Sequence, residues 1–285
     1  MKKLILFGAT GNLGKEIARE AKLKGYELTV VVRSKIKAEE LLSITDRYII
    51  ADITNPTSLE NICNGYDIVI SALGKSVSPN DFSKPSFKEI DLNANTTIFK
   101  EAIKSGIKKF IYISAFHSEK YLHLEYFRVH HEFSELLKSS GIDYSIIKPP
   151  AIFSAFIDMI EMAKKGRLIN IGKGDMKTNP IYEGDLAKEC VESIKLVNVT
   201  KEIGGMTIYT RRELYEIIQN EVCPTKSLKN IPLQFFKLSL PFFRILNKNL
   251  YNKFAFFVAA IQVDTIAPRI GRMKFEEYIK LKNSN

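Results

Sequence analysis

The sequence predicts an α/β fold, a doubly wound parallel sheet followed by a small, mostly helical C-terminal lobe. Over roughly the first 150 residues, short runs rich in Val and Ile alternate with helical patterns. That order suits a parallel sheet with helices on both faces. Gly25, Gly65, Gly106 and Gly141 each fall just after a helical pattern, where a left-handed cap is wanted. The first apolar run, Leu4-Ile5-Leu6-Phe7, stops at Gly8, and Gly11 and Gly14 follow at three-residue intervals.

In chain order, strands are expected at Lys3–Phe7, Glu27–Arg33, Tyr48–Asp52, Asp67–Ala72, Lys109–Ser114 and Tyr144–Lys148. Helices are expected at Asn12–Lys24, Ile36–Ser43, Pro56–Asn64, Phe87–Ser105 and Leu122–Ser139. The opening strand turns into a helix whose first amides point at a phosphate. Gly8 permits the tight turn, Gly11 leaves room for a pyrophosphate, and Gly14 lets the helix pack on the strand; Thr10, Asn12 and Leu13 complete this Rossmann-type turn. The regular alternation ends at Pro149-Pro150, which divides a dinucleotide-binding core (1–150) from a substrate-side region (151–285), part of 168–210 packing back on the core.

Cofactor choice turns on the end of the second strand, where an acid suits NAD and an arginine suits the extra phosphate of NADP. Here Arg33, Ser34 and Lys37 occupy that end, with no acid before Glu39. The forked guanidinium of Arg33 can grip a phosphate bidentately and Ser34 can add a hydroxyl, so NADP(H) is favoured over NAD(H).

The motif Gly8-Ala-Thr-Gly-Asn-Leu-Gly14 resembles the short-chain dehydrogenase/reductase superfamily. Ile107–Ser114, Ser140–Pro149, Pro180–Ala187 and Gly204–Leu214 narrow the resemblance to its atypical, NmrA-like NAD(P)H-binding branch, over about residues 1–220. The resemblance implies that Asp52 and Ile53 meet the adenine and that Ala72, Leu73 and Gly74 line the adenosine ribose and pyrophosphate. It implies too that Pro149, after Lys148, lies where the nicotinamide amide meets backbone. Active members have a Ser ending strand five and a Tyr-x-x-x-Lys pair on the next helix. Ser114 and Tyr126 match, but His130 stands where the lysine belongs. A histidine of pKa near 6.5 is mostly neutral at pH 7 and polarises a phenol less than an ammonium does. The pair reads either as a degraded proton-transfer couple, strongest when His130 is cationic, or as ordinary residues of a half-buried helix.

With 285 residues, 45% of them hydrophobic, the chain can bury a large core. Cys63, Cys190 and Cys223 lie too far apart for a disulfide framework or zinc site. The four histidines (His117, His123, His130, His131) crowd beside Glu119, Glu125 and Glu132 without a His-Glu-x-x-His pattern, so no metal is expected; they read as a polar wall of the substrate pocket. Lys173, Lys177 and Asn179, in a Gly/Lys-rich loop, read as surface. The apolar run after Met1-Lys2-Lys3 is too short for a signal peptide and no stretch of 18 apolar residues exists, so the expected location is cytoplasmic. The net charge of +10 comes almost wholly from residues 224–285, with 11 Lys and Arg against 3 Asp and Glu. No nucleic-acid module accompanies it. Residues 232–263 interleave phenylalanines with cations as two helices interrupted at Pro241; they read as the wall of an apolar substrate pocket or as an element lying on a membrane surface. The leading function is NADP(H)-dependent reduction of an apolar carbonyl, enoyl or quinone-like substrate. The alternative is a non-catalytic NADP(H)-binding sensor or assembly factor.

Overall fold

The computed structural model describes residues 2–284. In chain order the elements begin β1 (Lys3–Phe7), α1 (Asn12–Leu23), β2 (Glu27–Val32), α2 (Lys35–Glu39), β3 (Arg47–Ile50), β4 (Ile68–Ser71), α3 (Asn95–Lys104), β5 (Lys109–Ile113), α4 (Glu125–Lys138) and β6 (Asp143–Lys148). They continue with α5 (Ile157–Lys164), β7 (Ile169–Ile171), β8 (Lys177–Thr178), α6 (Glu183–Glu192), β9 (Val199–Glu202), β10 (Tyr209–Thr210) and α7 (Arg211–Val222). Last come β11 (Lys229–Ile231), α8 (Leu233–Leu246), α9 (Lys248–Ala260) and α10 (Phe275–Asn283). The chain divides into two compact units, one of residues 1–75, 84–148 and 183–201, the other of 76–83, 149–182 and 202–285.

The first unit is the doubly wound α/β fold. Its seven-stranded sheet runs β3-β2-β1-β4-β5-β6-β9, and β1 through β6 pair in parallel. Strand order reverses at β1, so the crevice beyond the carboxyl ends of β1 and β4 is the topological switch point at which such sheets bind ligands. Phe7 pairs with Val31 on one side and Ser71 on the other, which brings the three strand ends level there. Ile5, Phe7, Val69, Phe110, Tyr112 and Phe133 form the heart of one apolar core. The strands read as continuous apolar runs because both faces are covered, with α1 and α6 packed together on one of them.

Several boundaries differ from the sequence expectation. The second strand ends at Val32 and the third at Ile50, freeing Arg33 and Asp52 from the ladder. Pro56–Leu59 makes only a tight 3₁₀ turn under the side chain of Asn55. The long helix expected from Phe87 opens as a π-helical segment, Lys88–Ala94, before continuing as α3. There the buried Asn95 side chain donates to Asp91 O (3.0 Å) and accepts from Ser71 Oγ (2.5 Å), side-chain bonds set beside the widened ladder.

The second unit has its own core around Phe153, Phe156, Leu214, Tyr215, Phe275 and Ile279. Two small sheets, β8 with β10 and β7 with β11, brace its helices. Asn179 corrects its sequence reading: it is wholly buried, donating to Gly205 O and Ala267 O and accepting from Ala267 N (2.8–3.0 Å). α8 runs unbroken through Pro241, and the helix break falls instead at Asn247, whose side chain accepts from Leu250 N (3.0 Å) to cap α9.

The glycines of the first turn can be separated by substitution. A Cβ at Gly14 would lie 2.1 Å from Gly8 O, whereas one at Gly11 meets nothing closer than 3.5 Å. Overpacking against backbone outweighs alanine's helical advantage, so Gly14→Ala is expected to cost at least about 2 kcal/mol. Gly11→Ala is expected to cost under about 1 kcal/mol, the scale of a weakened helix cap. Urea denaturation of the two variants measures the difference.

Candidate functional site

The glycine turn shapes the switch point. Gly8 has φ +83°, and a Cβ there would lie 2.5 Å from Ala72 O, so the turn sits directly against the end of β4. Gly11 is the exposed N-cap of α1 in extended conformation (φ −74°, ψ 164°). The helix has no side-chain cap and no acid in its first turn, and Thr10 and Asn12 are exposed beside it while Leu13 is buried. An uncapped, acid-free helix start behind a bare glycine fits a pyrophosphate, by its amides and by its dipole.

Around this turn stand the other predicted cofactor residues of the first unit. Arg33 is exposed immediately after β2. Ser34 caps α2, its hydroxyl accepting from Lys37 N (3.4 Å), and the Lys37 ammonium pairs with Glu40, a carboxylate that Lys15 also reaches at 3.5 Å. Past β3, Asp52 accepts from Thr54 Oγ1 (2.7 Å) and Thr54 N (2.9 Å), bonds that hold its carboxyl below the usual range. Ile53 and Leu73 pack on the apolar core, while Gly74 is exposed with Asp91 beside it. Pro149 belongs to the second unit.

Ser114, Tyr126 and His130 sit in a buried network that the sequence only half disclosed. Ser114 Oγ lies 3.1 Å from Ser134 Oγ, which donates to His130 O (2.7 Å). The His130 ring faces inward. Its Nδ1 is 2.6 Å from the Tyr112 hydroxyl and its Nε2 3.5 Å from Asp91 Oδ1. Asp91, wholly buried on the π-helical turn, accepts from Lys75 N (3.2 and 3.3 Å). The Tyr126 ring stands edge-on to His130, centroids 4.7 Å apart, and to Phe87, 5.3 Å apart.

Burial, helped by the nearby Lys148 ammonium, pushes His130 down to about 3. Burial raises Asp91, Tyr112 and Tyr126 above their usual values. The cationic histidine that a lysine stand-in requires is therefore absent at neutral pH; His130 is a neutral ring bonded to core groups. A buried cation nearby is Lys148, whose Nζ donates to Glu119 (2.8 Å). Burial opposes ionisation of Glu119, but the hydrogen bond and charge of Lys148, with a backbone hydrogen bond, together outweigh it and hold the carboxyl below its usual range. His117 stacks on Phe116 and contacts Lys120 Nζ (2.9 Å). Sequence reading passed over Asp91, Tyr112 and Ser134 because they lie on core faces of their elements. An acid at a core position was the one available signal.

The second unit contains a cavity of about 600 Å³, lined by Ile171, Met176, Ile231, Leu233 and Ile261 among others. No helix among the described residues is long and apolar enough to cross a membrane.

A family described as NAD(P)H-binding matches residues 8–195. A photosystem II assembly factor of Guillardia theta is 27% identical over 248 residues, covering 84% of this chain and 77% of that protein. A chloroplastic divinyl chlorophyllide a 8-vinyl-reductase of Arabidopsis thaliana is 30% identical over 225 residues, covering 71% of this chain but 53% of the reductase. Among solved structures, a nucleoside-diphosphate-sugar epimerase of Staphylococcus aureus superposes with a TM-score of 0.77 at 19% identity, covering 98% of this chain and 100% of that one. An NADPH-dependent quinone oxidoreductase of Escherichia coli, complexed with NADPH, gives 0.75 at 16% identity, covering 98% and 99%. At such identities the structural likeness establishes the fold.

The buried imidazole has a pH signature. Between about pH 3, its folded value, and about 6.5, its unfolded value, the unfolded chain binds a proton that the native protein does not. The native state is thus favoured by this group above pH ~6.5 and loses that advantage as pH falls toward 3. Asp91, shifted the other way, stays in both proteins of the comparison. His130→Gln is expected to lose about 1–3 kcal/mol at pH 7 with its buried hydrogen bonds. It is also expected to flatten the fall in stability on acidification below pH ~6.5. Urea midpoints from pH 7 to 4 for both proteins test this, and parallel curves would exclude a buried neutral His130.

Proposed function

Because the chain belongs to the NAD(P)H-binding family, as an atypical short-chain dehydrogenase/reductase, we propose that it is an NADP(H)-dependent reductase. Its substrate is an apolar carbonyl, enoyl or quinone-like compound. The observation that carries this reading is the buried phenol of Tyr126 beside a neutral His130. A phenol kept protonated by burial can donate a proton to an oxyanion or enolate formed on reduction.

On this reading Gly8, Gly11 and the α1 start would hold the pyrophosphate, Asp52 and Ile53 would meet the adenine side, and Arg33 with Ser34 would take a 2′-phosphate. Bound there, the dinucleotide supplies hydride-transfer chemistry that no side chain has. The protein's own part is to orient the substrate, exclude water and place a proton donor: Tyr126, or Ser114 within the same network. A relative named as an 8-vinyl-reductase supports this substrate class.

A second reading, a non-catalytic NADP(H)-binding assembly factor or sensor, is favoured by the uncharged His130 in the lysine position and by the photosystem II assembly factor among the relatives. Following NADPH oxidation across a panel of quinones, enones and ketones, with NADH as control, separates the two. Tight NADPH binding without turnover on any of them would favour the second reading.

Arg33→Ala is expected to weaken NADPH by about 1.5–3 kcal/mol, the loss of a charge-assisted hydrogen bond, and to leave NADH nearly unchanged. Calorimetric titration with both cofactors measures it, and equal losses would remove the phosphate assignment. Once a substrate is in hand, Tyr126→Phe is expected to lower turnover by about 10²–10⁴ if the phenol donates the proton. Full turnover in that variant would return the role to Ser114 or water.

A further inference from the structure

α8 leaves one face of its surface without a covering element. Phe235, Leu238, Phe242 and Ile245 recur at intervals of three and four residues and are 65%, 77%, 63% and 85% exposed. They form a single stripe along a helix about 21 Å long. The opposite side is occupied: Phe243 stacks on Phe254 of α9, rings 4.7 Å apart and 5° from parallel. α9 is in turn tethered within its own unit by the buried Lys253, which donates to Ser78 O (2.9 Å) and Asp81 O (2.6 Å). The hairpin is therefore seated, and the stripe is not a misplaced core face. Leu233 at its base lines a cavity of the second unit, and the stripe does not.

Charge says what the stripe meets. Residues 222–263 contain six Lys and Arg and no Asp or Glu. Five of them, Lys226, Lys229, Lys237, Arg244 and Lys248, are exposed. A second copy docking through the same face would bring this cation field against itself, which opposes pairing. A surface that accepts phenylalanines in its interior and cations at its rim is an anionic bilayer. With no helix fit to cross the bilayer, the segment would lie along it. We propose that α8 and its flanking cations form a peripheral docking surface for anionic lipid membranes, with Phe235, Leu238, Phe242 and Ile245 entering the headgroup–acyl boundary.

The test uses the full chain and vesicles of phosphatidylcholine alone or with one-third phosphatidylglycerol, about 33%, a composition chosen to give the surface charge on which such binding depends. Flotation is expected to recover the protein with the anionic vesicles, at least tenfold more than with the neutral ones, and less at high salt. Replacing Phe235, Leu238 and Phe242 by Ser, or Lys237, Arg244 and Lys248 by Glu, is expected to lower partitioning at least tenfold. Both sets are exposed, so melting temperature and NADPH affinity serve as fold controls and should not move. Reversing the exposed Lys188 and Lys195 of the first unit should leave binding intact. The chain contains no tryptophan, so Phe242→Trp reports insertion directly by a blue shift with anionic vesicles and quenching by brominated lipid. Any of four results would overturn the proposal: no flotation at low salt, undiminished flotation of the serine variant, equal loss on reversing Lys188 and Lys195, or a stripe-dependent dimer or complex with an acidic protein that floats with no vesicle.

Discussion

The first unit depends on how closely the β1–α1 turn approaches the end of β4. Gly8 can lie against Ala72 only because it has no Cβ and adopts positive φ, and Gly14 can lie under Gly8 only because it too is bare. These two contacts aim the start of α1 across the switch point, and they leave the ends of β2, β3 and β4 arranged around it. Arg33, Asp52 and Gly74 follow the ends of three different strands, which parallel pairing in register brings level. The proposed cofactor site is in this sense built on backbone packing.

Beside that crevice the protein has replaced a charge with a buried neutral network. A lysine at this position of α4 would bring an ammonium to where His130 stands. His130 instead turns to Tyr112 and Asp91, and Ser134 ties Ser114 to the same helix turn. Removing charge from a dry site avoids a large desolvation cost. It also changes what the phenol can do, since burial and the neighbouring Asp91 hold Tyr126 above its usual value. A site of this kind suits proton donation to a strongly basic anion, or no proton transfer at all, and both proposed functions grow from that one substitution.

The second unit solves a different problem. Its core is aromatic, built on Phe153, Phe156, Tyr209, Phe275 and Tyr278, and its loops are pinned by buried polar side chains such as Asn179 and Lys253. Anchoring a helical hairpin this way allows α8 to expose large apolar groups without collapsing onto its neighbours. Exposed phenylalanines are costly in water, and their regular spacing with clustered cations is what distinguishes them from incidental surface.

By itself the sequence determined the order of strands and helices over about the first 150 residues, the glycine turn, the family and the basic end of the second strand. Each of these is written in local periodicity or in glycine spacing, which the chain carries without help from distant residues. It also held both readings of residues 232–263, since composition records aromatics and cations but not which way they face. Tertiary structure alone decided the rest. It turned His130 inward to Tyr112 and Asp91, put Asn179 in the core of the second unit, opened the helix after Phe87 as a π-helical segment, and left the α8 stripe exposed. The reason is the same in each case: burial sets the charge of an imidazole, the partners of an amide and the exposure of a phenylalanine, and burial depends on residues far away in the chain.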